Sequence, residues 1–547
     1  MTKELSDFAT MHAETHEVEA VKQSVGQETT DNARLGAEAE HKLPPLEAIR
    51  NYPWTIFWCL MVSMCVIMEG YDTILIGNFY AYPAFAKAYG TWNDATGNYQ
   101  LTAAWQAGLS NGSQVGSFFG TLLNGLLVTK FGHVRVLIGA LVALSCFIFI
   151  VFFAPNTTVL LVGQILCGLP WGIFATTAPA YASEVLPMTL RVYMTSWTNM
   201  CFIIGQLISA GVLSSLVNNP TKWAYKIPFA IQWVWPVLLI PVLFFAPDTP
   251  WHLVRVGRPE AAMASLKRLR PKATEKELRD ALGLIVYTND LEEQLSVGTS
   301  YKDCFKGFEL RRTEISCMVF AGQVLSGSTF AYNSTYFFQQ VGLDSTTTYH
   351  LNVGGNGLAL FGTLISWFCI MPYVGRRLNY LSGMFAMAVV LYVIGILNTR
   401  KENSAIGMSQ AVLTLLWTFI FQLSAGQLGW ALPAEMGSTR LRQKTICLAR
   451  NAYAIVSIIS GVLQPYFMNP TQWNLQGYTG FVWGSTAFLV FLWGYFRLPE
   501  TKNRTFEELD LLFAKKVSAR KFSSYKIEAF GDEHAVIDKV QTEKSFV

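Results

Sequence analysis

Two acidic residues lie close together in the first long apolar stretch of the chain. Glu69 and Asp72 are three residues apart within residues 54–77, which otherwise have the composition of a membrane-spanning helix. A carboxylate inside hydrocarbon costs about 3 kcal/mol on insertion scales, so such residues usually face a polar pathway. At this spacing both side chains share one helix face. Because like charges repel and burial disfavours the ionised form, the pair tends to hold a proton, which predicts reversible protonation inside a membrane.

The composition is that of a membrane protein. The chain has 547 residues, of which 52% are hydrophobic and only 14% are charged, whereas soluble proteins carry about 25% charged residues. The net charge of +4 is spread along the chain and predicts no nucleic-acid partner. The nine cysteines contain no Cys-x-x-Cys pair, so neither a disulfide framework nor a metal site is expected. With no phosphate loop or nucleophile–base arrangement in view, we expect neither an enzyme nor a bound cofactor.

About twelve apolar runs are long enough to cross a bilayer, which takes roughly 20 residues. They predict an all-α membrane protein with twelve transmembrane helices. The predicted spans are residues 54–77, 105–128, 134–154, 158–180, 193–216, 228–246, 314–338, 351–371, 378–397, 409–432, 445–467 and 478–497.

An even number of spans puts both termini on one side of the membrane. Lysine and arginine are concentrated in the connections on that side, which places the termini and a long basic loop in the cytoplasm. The capping-box pattern that begins at Thr274 predicts a helix within that loop. The expected layout is a disordered N-terminal tail (1–50), a first six-helix half (51–246), a cytoplasmic linker with short helices (247–312), a second six-helix half (313–498) and a cytoplasmic C-terminal tail (499–547).

The two halves repeat one another at matched positions. Three motifs of the first half recur in the same order in the second half, at offsets of 242–252 residues. They are Phe-Gly-Thr-Leu at 119–122 and 361–364, a Glu and an Arg seven residues apart at 184/191 and 435/442, and Pro-Asp-Thr-Pro at 247–250 against Pro-Glu-Thr-Lys at 499–502. Duplication of a six-helix unit into two parallel halves is a known transporter architecture.

Several motifs resemble the sugar-porter family of the major facilitator superfamily. The resemblance covers roughly residues 50–515, and within the family the chain looks most like fungal α-glucoside (maltose-type) permeases. The motifs are Met-Glu-Gly-Tyr-Asp-Thr at 68–73, residues 163–172, Pro-x-Tyr-x-Ser-Glu at 179–184, residues 247–250, Ala-Arg-Asn-x-Tyr at 449–453 and the long signature at 499–508. The resemblance implies the major facilitator fold, with a substrate site between the halves.

The resemblance also implies a proton-coupling group. Asp72 matches the acid of that family that couples protons, and Glu69 is a candidate for sharing the proton or for contacting the sugar. Many sugar porters carry an arginine in helix 4 where this chain has Gln164. Arg450 is therefore the natural counter-charge, unless it extends to the cytoplasmic face. The alternative for Asp72 is a structural hydrogen bond to a neighbouring helix.

Sugar hydroxyls call for neutral donors and acceptors, and a sugar ring face calls for aromatic walls. Asn199 and Gln206 are seven residues apart and so share a face of the fifth helix. Gln323, Tyr332 and Asn333 offer similar groups in the seventh. We predict that these five residues bind substrate. The alternative for each is a hydrogen bond between helices.

Two pairs of opposite charge are expected at cytoplasmic helix ends. In the family such pairs, here Glu184–Arg191 and Glu435–Arg442, lock the halves in the outward-open state. The alternative is solvated loop charge, worth under about 1 kcal/mol for each pair. The repetition of the spacing favours gating.

Together these residues predict a proton–sugar symporter of the plasma membrane that works by alternating access. The expected substrate is an α-glucoside such as maltose, and the energy source is the proton gradient. The expected partners are the sugar, protons and the lipid bilayer, with the oligomeric state left open because a monomer suffices. Two alternatives remain, namely a carrier of hexose or another glucoside, with or without protons, and a sugar sensor that signals through its tails.

Overall fold

The computed structural model describes residues 44–79, 83–93, 98–216, 221–294, 298–332, 337–338, 345–400, 404–468 and 473–525, together with Leu35 and Asn219. Over these residues the protein is a bundle of twelve membrane-spanning helices, which we number span 1 to span 12 in chain order. Ten of the twelve are long and apolar enough to cross a bilayer on those grounds alone. The other two are spans 2 and 7, whose apolar runs are interrupted by polar residues.

Spans 1 to 6 form the first half. They are Pro53–Ser63 with Val66–Phe79 (span 1), Ala103–Phe131 (span 2), His133–Phe152 (span 3), Thr157–Val185 (span 4), Met188–Leu216 (span 5), and Trp223–Ile231 with Val234–Phe244 (span 6). Their buried apolar side chains form one continuous core that draws on residues 48–246.

Spans 7 to 12 form the second half around a separate core. They are Glu309–Leu325 with Ser328–Tyr332 (span 7), Ser345–Ile365 with the π-helical turn Ser366–Ile370 (span 8), Arg376–Leu397 (span 9), Ser404–Leu423 with Ala425–Met436 (span 10), Arg442–Met468 (span 11) and Thr479–Arg497 (span 12). Span 7 breaks where Gly327 takes a positive φ of 96°, a conformation that glycine adopts readily.

Shorter elements lie outside the spans. The helices are Pro45–Asn51, Pro83–Tyr89, Pro250–Arg255, Pro259–Leu269, Glu275–Gln294 and Phe506–Ala514, with 3₁₀ turns at Asp303–Phe305, Asn398–Arg400, Gln476–Tyr478 and Ala519–Lys521. Strands Thr91–Asn93 and Asn98–Gln100 form an antiparallel pair in which Trp92 lies opposite Tyr99. The sequence pattern of residues 91–100 does not predict this hairpin.

The helix Pro45–Asn51 corrects the expectation of disorder throughout residues 1–50. It begins with proline at its first position, where the missing N–H costs nothing. Ala48 is completely buried within the core of the first half, which anchors the helix to the bundle. Apart from Leu35, residues 1–43 of the predicted tail lie outside the described residues.

The linker helices and the C-terminal helix Phe506–Ala514 gather at one end of the bundle, which we call the linker end. The predicted capping box forms there, because Thr274 N–H donates to Glu277 Oε2 (2.8 Å) and Glu277 N–H donates to Thr274 Oγ1 (3.3 Å). The repeat is visible here too. Asp248 accepts from His133 N–H at the start of span 3 (3.2 Å), and Glu500 accepts from Arg376 N–H at the start of span 9 (2.8 Å).

Candidate functional site

Span 1 carries the two acids into the interior of the bundle. The second segment of this span holds both Glu69, whose exposed fraction is 4%, and Asp72, at 2%. Between them Gly70 lets the backbone of span 5 come close, because a Cβ at this position would lie 2.1 Å from the carbonyl oxygen of Phe202. Both carboxyl groups are therefore removed from bulk solvent.

Asp72 is held within the first half. Gln232 of span 6 donates its side-chain N–H to Asp72 Oδ1 at 2.7 Å. The buried amide of Gln164 in span 4 lies near the Asp72 carboxyl group, although within the described residues it makes no hydrogen bond of normal geometry. Two neutral amides thus surround this acid, and neither supplies the positive charge that would fix it as a carboxylate.

Glu69 makes a charged contact between the halves in the interior of the bundle. Its Oε1 forms an ion pair with the guanidinium of Arg450 in span 11, and both side chains are buried. The guanidinium also packs over the rings of Tyr453 (4.3 Å) and Trp430 (5.2 Å), an arrangement that favours a planar cation. Arg450 therefore points into the bundle, and the alternative in which it extends to the cytoplasmic face is wrong.

A small cavity lies beside this ion pair. It is lined by Phe202, Gln323, Ser328, Tyr332, Phe421, Trp430, Arg450 and Tyr453. Aromatic rings form most of its wall, and an amide, hydroxyls and a guanidinium supply the polar groups. Such a lining suits a ligand that has hydroxyls at its edge and an apolar face.

The predicted binding residues divide between this cavity and the contact between the halves. Gln323 and Tyr332 line the cavity, and the Gln323 side-chain N–H groups are held by the carbonyls of Ala425 (3.0 Å) and Gly426 (3.1 Å) beside the break in span 10. Asn199 of span 5 instead donates to Gln422 Oε1 of span 10 at 2.8 Å.

Gln206 of span 5 does not line this cavity. Gln206 is buried at 1% exposure, and within the described part of the chain its Nε2 has no hydrogen-bond partner. Asn333 lies outside the described residues.

The ion pairs at the linker end join other partners than the repeat spacing suggested. Glu184 pairs with Arg255 of the linker at 2.5 Å and lies 4.0 Å from Arg442 of span 11. Glu435 pairs with Arg376 of span 9 at 3.7 Å and accepts a hydrogen bond from Thr501 Oγ1 (2.6 Å). The prediction counted seven residues along one helix junction, whereas the fold brings in cations from the linker, from span 9 and from the opposite half.

Two of these predicted arginines meet on one aromatic ring. The guanidinium of Arg191 lies 3.8 Å from the ring centroid of Phe506, and that of Arg442 lies 3.7 Å from it. Phe506 begins the C-terminal helix, so a residue beyond span 12 contacts both halves at the linker end. These cation–π contacts, together with Glu184–Arg442, close that end of the bundle in this structure.

Sequence reasoning missed several residues of this arrangement. Phe202 and Phe421 were indistinguishable from the other aromatics of the spans. Gln232 could have been found as a lone amide in the apolar run of span 6. Arg255 and Arg376 were counted only as basic residues that orient the chain, since no spacing rule links them to Glu184 and Glu435.

Comparison with known proteins agrees with this architecture. The sequence model of the family described as "Sugar (and other) transporter" matches residues 58–513. A maltose permease of Saccharomyces cerevisiae is 38% identical over 519 residues, which cover 94% of this chain and 84% of the relative. An alpha-glucosides permease of the same yeast is 39% identical over 513 residues, covering 92% and 84%.

Solved structures share the fold at lower identity. The proton:xylose symporter XylE bound to 6-bromo-6-deoxy-D-glucose superposes with a TM-score of 0.73 at 19% identity, covering 85% of this chain and all of that one. The inward open conformation of XylE from E. coli gives a TM-score of 0.59 at 20% identity, covering 84% and 99%. The predicted major facilitator fold is thereby confirmed. On the length and identity of these matches, the chain belongs to the family of sugar (and other) transporters.

Proposed function

We propose that this protein is an α-glucoside:proton symporter of the plasma membrane that takes up maltose-like sugars by alternating access. The observation that carries the proposal is the buried Glu69–Arg450 pair, which joins the halves and whose arginine lines the aromatic cavity. The names of the yeast relatives, which are maltose and α-glucoside permeases, support the substrate class.

Proton coupling follows from competition for Arg450. While Glu69 is ionised, it occupies the guanidinium that lines the cavity, so a sugar hydroxyl must compete with a carboxylate. A proton on Glu69 removes this competitor and leaves the Arg450 N–H groups to donate to the sugar. Sugar binding in turn favours the protonated acid, because coupling between two binding events is reciprocal.

Asp72 provides a second protonation site along span 1. It lies one helical turn beyond Glu69 and is held by the neutral amide of Gln232. The acid therefore takes up or releases a proton without breaking an ion pair of its own. We assign it the role of passing the proton to and from Glu69.

Release requires the linker end to open. We propose that this end faces the cytoplasm, as the distribution of lysine and arginine predicts, and that the pairs of Glu184 and Glu435 part when the halves rock. Binding energy moves such an equilibrium only through differential affinity for the two states. The protonated, loaded carrier must therefore cross more easily than the half-loaded one.

The experiment is uptake of labelled maltose and labelled glucose into cells that lack their own carriers. We expect the wild type to accumulate maltose, and a protonophore to abolish the accumulation. Glu69→Gln and Asp72→Asn should lose accumulation but retain exchange of labelled for unlabelled maltose, since a neutral side chain leaves the cavity intact.

The outcomes separate substrate from mechanism. Glucose uptake that ignores both the protonophore and the Asp72 variant would leave the fold standing and remove proton coupling. Uptake of neither sugar, with the protein correctly delivered to the plasma membrane, would contradict the proposed substrate class.

A further inference from the structure

A short segment of the linker crosses the boundary between the two halves. Residues 300–304 follow the helix Glu275–Gln294 and lead into span 7. From this segment the Tyr301 hydroxyl donates to the carbonyl oxygen of Leu122 in span 2 at 2.9 Å, and it lies 3.4 Å from that of Thr121. The linker is thereby fastened to the first half by a side chain.

The position of the Tyr301 ring against span 2 depends on a glycine. A Cβ at Gly125 would lie 2.0 Å from the Tyr301 hydroxyl oxygen, so any larger residue would displace the ring. Burial raises the pKa of Tyr301 well above its ordinary value, and the phenol therefore stays protonated as a donor. Glycine in span 2 and tyrosine in the linker form one complementary pair.

The second half covers the other side of the same ring. The Lys444 ammonium of span 11 lies 5.9 Å from the ring centroid, and the Cys447 thiol interacts with the phenol hydroxyl. Lys444 Nζ also donates to Thr129 Oγ1 of span 2 at 2.8 Å. Since Thr129 offers only a neutral hydroxyl, this direct link between spans 2 and 11 carries no ion pair.

We propose that Tyr301 is a gating residue that straps the linker across the seam between spans 2 and 11 and stabilises the state closed at the linker end. The proposal rests on the alternating access of the proposed function, because the strap matters only if that end opens. Parting of spans 2 and 11 removes Tyr301 either from the Leu122 carbonyl or from Lys444 and Cys447. Each opening of the linker end therefore breaks some of the contacts that Tyr301 makes.

A native thiol reports on this strap. Cys447 is fully buried beneath the phenol, so opening of the seam exposes it to a soluble maleimide. The experiment measures the alkylation rate of each cysteine by mass spectrometry on the purified, full-length protein. We expect Tyr301→Phe to raise the Cys447 rate about fivefold, the equilibrium effect of one typical buried hydrogen bond. Tyr301→Ala should raise it further.

Gly125→Ala disturbs the same contact from span 2. Its effect on the Cys447 rate should not add to that of Tyr301→Ala, because both substitutions remove the same contact. Tyr89→Phe is the matched control, since the Tyr89 hydroxyl also donates to a carbonyl, that of Ala154 (2.9 Å), but within the first half. Cys201, buried in span 5 against span 1, should react at the wild-type rate throughout.

Uptake kinetics supply the second readout. A population shift toward the state open at the linker end raises the apparent KM for external sugar by the fraction of carriers withdrawn. A Cys447 rate that is unchanged in Tyr301→Phe, Tyr301→Ala and Gly125→Ala would overturn the proposal. If maltose proves not to be carried while Cys447 responds as expected, the proposed substrate fails and the strap stands.

Discussion

At the scale of single residues, the Glu69–Arg450 pair combines structure with coupling. Both side chains are buried, and Arg450 is also the polar corner of the aromatic cavity. Removing one partner of a buried ion pair leaves an uncompensated charge and costs about 3–5 kcal/mol. When Glu69 takes up a proton, Arg450 is the charge left without its partner. Part of the cost is then avoided, because Arg450 lines the cavity and hydroxyl groups there can accept its hydrogen bonds in place of the carboxylate.

This view predicts a rescue between two substitutions. Arg450→Gln should lower the melting temperature of the detergent-solubilised protein, because Glu69 is left buried without its cation. The double variant Glu69→Gln/Arg450→Gln should regain most of the loss, since neutral amides can bond to each other. Maltose accumulation should stay abolished in both. A double variant no more stable than Arg450→Gln would show that the uncompensated charge of Glu69 is not what destabilises the single variant.

Arg450→Lys separates charge from shape. Lysine retains the positive charge but loses the planar face that packs on Tyr453 and Trp430. We expect near-normal melting and an apparent KM for maltose raised about tenfold, the effect of about 1.4 kcal/mol. Measured uptake kinetics with an unchanged KM would mean that the guanidinium does not meet the sugar.

At the scale of elements, the contact between spans 1 and 5 depends on small residues. A Cβ at Gly205 in span 5 would lie 2.0 Å from the carbonyl oxygen of Ile67, which precedes Glu69 by two residues in span 1. In membranes such close backbone approach is a main source of helix association. The position of the acid is therefore set by glycines as much as by its own partners.

Gly205→Ala should consequently force the two helices apart, lower the melting temperature and reduce maltose uptake. Gly211→Ala is the matched control in the same span, because nothing lies within 4 Å of a Cβ there. Alanine at that position should be neutral or slightly stabilising, since glycine within a helix costs up to about 1 kcal/mol relative to alanine. Equal effects of the two variants, measured by thermal unfolding, would argue against a close crossing at Gly205.

The elements also show how far the sequence alone can lead. Length and hydropathy predict twelve spans, because each must satisfy its own backbone within lipid. The breaks at Ser424 in span 10 and Gly327 in span 7 are not predictable in this way. At the first of them, the carbonyl oxygen of Leu423 accepts from two distant side chains, those of Ser366 (3.0 Å) and Asn379 (3.2 Å). The partners of Glu184 were missed for the same reason, as Arg255 and Arg442 reach it only through the tertiary fold.

At the scale of the whole molecule, the C-terminal helix ties the linker end together and predicts a pH dependence. Asp510 in this helix is fully buried and pairs with Arg312 of span 7, whose Nη1 also lies 3.1 Å from Glu309 Oε1. Burial raises the pKa of Asp510 to about 7, and nearby Glu292 acts in the same direction, whereas Arg312 and Arg442 oppose it. The packed helix therefore binds a proton that the released helix gives up.

The sign of the effect follows from that difference. A raised carboxyl pKa stabilises the packed state fully below the ordinary value of 3.8, and this contribution is lost as the pH rises through about 7. Hydrogen exchange of residues 506–514, corrected for intrinsic rates, should show weaker protection at pH 8 than at pH 5.5. Asp510→Asn should flatten the slope. Protection that grows with pH in the wild type would contradict the assignment.

Phe506 has a consequence for chimeric carriers. Its ring is clasped by Arg191 from the first half and Arg442 from the second, although the residue itself is encoded after the last span. A hybrid that joins the first half of one relative to the second half of another would therefore take Phe506 and Arg442 from one parent. It would take the residue at position 191 from the other parent. We expect such hybrids to remain able to close at the linker end only where the donor of the first half supplies a cation equivalent to Arg191, whatever the match of their sugar sites.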